Sequence, residues 1–308
     1  VRPLRRVARM ARMRLPSSFS RMLRRVALLW GVATVRWRMK PSFLVVGAQR
    51  SGTTSLFRLL ETHPQVVRPT LDKGIGYFDL NYSRPWSWYI SHFPIRPLAA
   101  LMRGTKRVVT FESSGYYMFH PLAHERIADD LPGVKVVMML RNPVDRAHSA
   151  HRHEQRRGFE AEDFETAVSL ETTRLAGEVE RIKDDPYYVS FAHQHHAYVG
   201  RGEYAQQVAR LIDSCGRENV YVIDADAFFD NPAAEFSQLC RWLGLDEPAQ
   251  VKADAWNAAP RAPLRQDLRR RLEVHFEPHD VRLEHILGRT VSWRSGQMPV
   301  NQKIDDPP

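Results

Sequence analysis

Cysteine is nearly absent: Cys215 and Cys240 are the only two in 308 residues. They have neither the spacing of a metal knuckle nor the numbers for a disulfide framework, so a reducing, cytoplasmic setting is the simplest expectation. Acidic residues are missing altogether from positions 1–40, which hold 12 Lys/Arg. The net charge of +10 therefore belongs to this leader, because the other 268 residues carry 33 basic against 35 acidic side chains. A body so nearly neutral leaves no surplus for a general nucleic-acid face, and that class is set aside. Long apolar runs are also lacking. Val26 to Val35, bounded by Arg24, Arg25 and Arg36, is far shorter than the ~20 residues a membrane span needs, and no small-residue cleavage site follows it. The leader reads either as a basic amphipathic helix lying on an anionic membrane surface, with Trp30 and Trp37 at the interface, or as an unstructured basic segment. The expected organisation is a leader over 1–40 and one domain over 41–308, without internal repeats.

What is present centres on Pro41 to Leu60, PSFLVVGAQRSGTTSLFRLL. Phe43 to Val46 is an apolar run expected of a buried strand, Gly47 to Gly52 a glycine-bounded turn, and Thr53 onward a helix with Leu56, Leu59 and Leu60 on one face. Backbone N–H groups in such a turn, with the positive end of the helix dipole, form a cradle for phosphate. A nucleoside-triphosphate loop would carry Lys directly after the second glycine. Here Thr53 follows Gly52, and the cation is Arg50 inside the turn, which weakens a magnesium–ATP reading. Ser51, Thr53, Thr54 and Ser55 supply hydroxyl and amide donors.

Further along, Thr62-His-Pro-Gln65 is a helix stop, since the residue before Pro64 is biased away from helix. Val66 to Pro69 and Lys106 to Glu112 read as strands. Leu71 to Asp79 and Trp86 to Pro94 are aromatic-rich and irregular. Val134 to Leu140, VKVVMML, is a continuous apolar run suited to a strand covered on both faces. After it, Asn142 can cap and Pro143 can open a helix, with Asp145 in its first turn. Ser149, seven residues after Asn142, shares one helix face with it, so it can look toward the same ligand as Arg141. Helices are expected over 164–180, 202–212, 233–243, 264–276 and 281–287, the last two separated by Pro278, and a strand over 219–223. Strands alternating with helices predict an α/β fold: a P-loop-containing three-layer arrangement with a central, mainly parallel sheet. His193, His195 and His196 crowd one segment without carboxylate or cysteine spacing, so no metal is expected.

GAQRSGTTSL resembles the 5′-phosphosulfate loop of PAPS-dependent sulfotransferases, and VVMMLRNPVDRAHSAH resembles their 3′-phosphate motif. Arg141 and Ser149 fall on the two positions that hold the 3′-phosphate there. Similarity to the heparan-sulfate-type branch of carbohydrate sulfotransferases extends to KGIGYFD with WSWYISHFP, to RGEYAQQVARL and to NVYVIDADAFFDNPAAEFSQLCRWLGL, covering roughly residues 42–292. The resemblance implies sulfuryl transfer from PAPS to a hydroxyl or amine of a carbohydrate, glycolipid or glycosylated metabolite. It assigns donor binding to Arg50, Ser51, Gly52, Thr53, Thr54, Ser55, Arg141 and Ser149. The lack of a spanning segment and of disulfide spacing suggests a bacterial-type cytoplasmic member, in membrane contact if the leader binds lipid.

Three positions depart from the family pattern. Arg50 stands where the family has a loop Lys, and Arg stabilises a departing phosphate oxygen without being able to give up a proton. Gly74 stands where the branch has the Glu taken as general base, and Ser113 where a Lys follows the Glu of a second motif. The proton acceptor must then lie elsewhere; the candidates, in order, are Glu112, His153, Asp79 and His120. Two other readings compete: an ATP-dependent P-loop phosphotransferase, and a non-catalytic membrane-surface module carried by the leader.

Overall fold

The computed structural model describes residues 17–248, 251 and 264–294. Five parallel strands, β1 (Phe43–Gly47), β2 (Val66–Val67), β3 (Val109–Ser113), β4 (Lys135–Leu140) and β5 (Val220–Asp224), form one sheet in the order β2-β3-β1-β4-β5. The expected sheet is thus observed. Its central strand β1 is buried along its whole length. Phe43 and Val45 meet Leu56, Leu59 and Leu60 of helix α2 (Thr53–Thr62) on one face, whereas Leu44 and Val46 pack with Tyr77, Phe78, Tyr89 and Tyr204 on the other. Alternation along a pleated strand sends neighbours to opposite faces, and each fully buried leucine stabilises the fold by roughly 1.5–3 kcal/mol. Helix α2 stops at Thr62, before the His63-Pro64 step.

The leader is helical over α1 (Ser17–Ala33), and its end packs on the body. A Cβ on Gly31 would lie 2.6 Å from that of Ser91. Arg38 donates to the carbonyls of Ser91 and Phe93, and Met39 is fully buried. Residues 1–16 lie outside the described residues, so the reading of that part of the leader is left as it stands. No described helix is long and apolar enough to cross a membrane.

The second aromatic stretch, expected to be irregular, contains a short helix, α3 (Trp86–Ile90), and a further helix, α4 (Arg96–Arg103), follows it. Tyr77 stacks on Tyr89 with ring centroids 4.6 Å apart, and Phe78 and Phe93 are fully buried. Most of these rings are core rather than a surface for sugars. Then come α5 (Ala123–Asp130), α6 (Pro143–Arg157), α7 (Phe164–Leu175), α8 (Glu178–Asp184), α9 (Phe191–His195), α10 (Tyr204–Cys215), α11 (Ala225–Asp230), α12 (Pro232–Leu243) and α13 (Gln266–Leu287). The helix expected over 164–180 is divided at Gly177, whose φ is 74. The two helices expected around Pro278 are instead one. Proline withdraws the hydrogen bond to the carbonyl four residues earlier, which belongs to Val274, on the exposed side of the helix at 70% exposure. Meanwhile Leu272, Phe276 and Leu283 stay buried on the opposite side, and their packing carries the helix through.

Candidate active site

The loop of residues 47–52 leaves β1 at the carboxyl edge of the sheet, where open α/β folds bind ligands. Arg50 at φ 72 and Gly52 at φ 98 turn the chain through left-handed backbone. A Cβ at Gly52 would also lie 2.8 Å from the Phe229 ring. As N-cap of α2, Gly52 offers no side chain to the helix; Ser55 N donates to the Gly52 carbonyl at 2.9 Å, and the Thr53 and Thr54 amides are left without a capping acceptor. Ser51 Oγ is buried near the Tyr204 hydroxyl yet has no partner in hydrogen-bonding geometry. An uncapped helix start with an orphaned buried hydroxyl fits a phosphate.

The second motif meets this loop because β1 and β4 are neighbours in register, Val45 opposite Val137, with Ala48 N donating to Met139 O at 2.9 Å. At the start of α6, Asn142 Oδ1 accepts from Val144 N at 3.0 Å and Asp145 N at 3.2 Å. Those amides are occupied, which leaves anion contact to the side chains of Arg141 and Ser149. Arg50 Nε donates to Ser149 Oγ at 3.2 Å across 99 positions of sequence. Burial, then Arg156 and Arg141, lowers the Arg50 pKa, while Glu154 opposes. Several cations are thus crowded around one opening. His153, one turn beyond Ser149, is lowered by burial and then by Arg50, and stays neutral at pH 7.

The remaining base candidates lie beneath the surface. Glu112 on β3 is fully buried, and its Oε2 accepts from Ile75 N at 3.3 Å. Burial, with Asp79 adding to it, raises this carboxyl to about 8, so it is protonated at neutral pH. Asp79, buried and pushed up to about 7 mainly by desolvation, accepts from Leu80 N within its own turn. His120 is buried, pushed down to about 3 by desolvation, and accepts from Leu122 N. Of the four, His153 lies beside the loop cation. Gly74 has its own reason: a Cβ there would fall 2.5 Å from the Ser113 carbonyl oxygen. With the chain so close to β3, no Glu fits at this position without displacing it.

Two site residues carried no role in the sequence reading. Lys73 Nζ sits 3.1 Å from Thr54 Oγ1 and 3.4 Å from Thr53 Oγ1. Arg201, buried between the rings of Tyr116 and Phe119, donates to Gln49 Oε1 in the loop and to the carbonyls of His193 and Gln194. The motif RGEYAQQVARL contained Arg201 and was the available signal. The three clustered histidines serve packing and structure: His193 pairs with the Tyr116 hydroxyl, His195 with Glu154 and His196 with the Phe159 carbonyl. Among the described residues, Glu203, His275 and His279 bring possible ligand atoms within 4.8 Å of one another, far along the chain from the loop.

A family model described as a sulfotransferase domain matches residues 40–257, most of the chain. The chain belongs to the sulfotransferase family. This sulfotransferase is 31% identical to the crystal structure of a sulfotransferase from Alicyclobacillus acidocaldarius, which superposes with a TM-score of 0.60 over 83% of this chain and 99% of that one. It is 27% identical over 212 residues to the bifunctional heparan sulfate N-deacetylase/N-sulfotransferase 1 of Caenorhabditis elegans. With the bifunctional heparan sulfate N-deacetylase/N-sulfotransferase 2 of Bos taurus it shares 28% over 210 residues. Each match covers 67% of this chain and 22% of the relative, so the chain spans about a fifth of their length.

Proposed function

We propose that this sulfotransferase moves a sulfuryl group from PAPS to a hydroxyl or amine of a carbohydrate-bearing acceptor and releases adenosine 3′,5′-bisphosphate. One observation carries the donor assignment: the Arg50–Ser149 hydrogen bond joins the 5′-phosphate loop to the side-chain anion site at α6. PAPS supplies a sulfuryl group on a phosphate leaving group. The amides of Gly52, Thr53 and Thr54 and the hydroxyls of Thr53, Thr54 and Ser55 hold its 5′-phosphate, with Ser51 Oγ beneath. Arg141 and Ser149 hold the 3′-phosphate, and Arg201 braces the loop through Gln49. Arg50, between the two, offsets negative charge as it gathers on the leaving oxygen, the largest service a protein gives in such transfers. His153 is the neutral base nearest that cation, and it now stands ahead of Glu112 for the acceptor proton.

Relatives named for heparan sulfate favour a carbohydrate acceptor. Peripheral contact with an anionic membrane also belongs to this reading. Leu29 and Trp30 of α1 are 71% and 63% exposed beside Arg21, Arg24 and Arg25, and a helix of that kind lies in a lipid interface. Calorimetry with adenosine 3′,5′-bisphosphate against ATP with magnesium tests the donor reading. Tighter binding of the bisphosphate supports it; a preference for ATP would return the P-loop phosphotransferase.

A further inference from the structure

Lys73 stands outside the phosphate loop yet lies against it. Its carbonyl accepts from Ser113 N at 3.0 Å, which ties its backbone to the end of β3. From there the side chain crosses the first turn of α2, with Nζ at the Thr53 and Thr54 hydroxyls and 5.7 Å from the Phe57 ring centroid. Local electrostatics disfavour a cation here. The start of α2 is the positive end of its dipole, and Arg58, one turn further on, adds like charge. Burial first, then Arg58, brings the Lys73 amine down to about 8. Gly74 beside it offers no carboxylate. A cation repelled from two directions and set among uncapped amides is completed by an anion.

The loop's own cation leaves a chemical role unfilled. Arg50 stabilises charge but releases no proton near neutral pH. A lysine at the same helix start can do both.

We propose that Lys73 is a catalytic residue of the sulfuryl transfer, its ammonium binding the 5′-phosphate of the donor beside Thr53 and Thr54 and giving a proton to the oxygen that leaves sulfur. The inference rests on the reading of this site as a PAPS site. In the step, the acceptor oxygen forms the new O–S bond while the bond between sulfur and the 5′-phosphate oxygen breaks. The electron pair of the broken bond stays on that oxygen, which takes the Lys73 proton. The acceptor proton passes to His153, the base assigned above, and from it to water, and the neutral amine regains a proton from water as the bisphosphate departs.

The test compares the full chain with Lys73→Arg and Lys73→Ala. Adenosine 3′,5′-bisphosphate affinity is measured by calorimetry, and sulfate release from 35S-labelled PAPS, with water as acceptor, is followed across pH. Thermal melting confirms that each variant folds. Lys73→Arg keeps the charge and is expected to hold affinity while losing about 100-fold or more in rate, the scale of general-acid catalysis. Lys73→Ala loses rate and also about tenfold or more in affinity, the scale of a hydrogen bond to a charged group. Wild-type kcat/KM falls as pH rises above about 8, where the free enzyme's amine loses its proton, and Lys73→Arg lacks that limb. A Lys73→Arg variant with wild-type rate and pH profile overturns the proton transfer. Wild-type affinity and rate in Lys73→Ala overturn the inference entirely, while tight bisphosphate binding by the wild type leaves the donor reading standing. Should the wild type itself prefer ATP, the donor reading falls and this inference with it.

Discussion

Helices α2 and α6 both begin at the carboxyl edge of the sheet, and they meet anions in opposite ways. Gly52 opens α2 with no capping side chain, so the Thr53 and Thr54 amides remain for a ligand. Asn142 closes α6 by accepting from two of its amides, and Arg141 and Ser149 must do the binding. A dipole-and-amide site is built from backbone and tolerates changes of side chain, provided the turn keeps its shape. A side-chain site can be dismantled one residue at a time. The same fold thus holds one phosphate by conformation and the other by composition.

That comparison breaks most sharply at Gly52. Gly52→Val places a branched side chain at φ 98 and against Phe229, and the left-handed backbone alone costs about 1–2 kcal/mol. Loss of all measurable bisphosphate binding in a folded variant is expected by calorimetry; retained affinity would show that the turn's shape does not matter. Next is Arg141→Ala, which removes one charge and leaves the α2 cradle intact. Affinity for adenosine 3′,5′-bisphosphate is expected to fall by about 2–3 kcal/mol, whereas affinity for adenosine 5′-phosphate, which lacks the 3′-phosphate, changes little. Equal losses for both ligands would merge the two sites. Ser149→Ala removes a neutral hydrogen-bonding partner of Arg50, and about 1 kcal/mol of bisphosphate affinity is expected to go with it. The smallest effect on binding belongs to Asn142→Ala. It costs about 1 kcal/mol of folding stability by chemical denaturation while leaving ligand affinity close to wild type; a loss of affinity as large as that of Arg141→Ala would mean that the cap belongs to the binding surface.

The legible parts of the molecule were those written in short stretches. The β1-loop-α2 unit and the Asn142-Pro143 start of α6 are local signals, and each element forms where those signals place it. Arg50, Arg141 and Ser149 were legible because two motifs named them, and strand order then set them side by side. Lys73 and Arg201 depend on where distant backbone passes, Lys73 on the end of β3 and Arg201 on the rings of Tyr116 and Phe119. No periodicity reports such a meeting. Pro278 misled for the converse reason: a local breaking signal of ~3 kcal/mol was outweighed by tertiary burial on both sides of it.

Glu112, set beneath the turn at Ile75, makes the fold a reservoir for a proton. Surrounded by Tyr117, Ser114 and Asp79, its carboxyl titrates at about 8 in the folded chain, above the ordinary value of 4.5. A folded pKa raised above the unfolded one gives stability that is complete below about 4.5 and is drained as pH climbs toward 8, because the unfolded chain ionises first and gains by doing so. The denaturation midpoint of the wild type should therefore drop between these two values more steeply than that of Glu112→Gln, which carries a neutral amide at every pH. Parallel slopes in the two proteins would mean that the proton is not held there. If the slopes differ, mild alkalinity is a solvent condition that loosens the end of β3 from within, over the same pH range in which Lys73 gives up its proton.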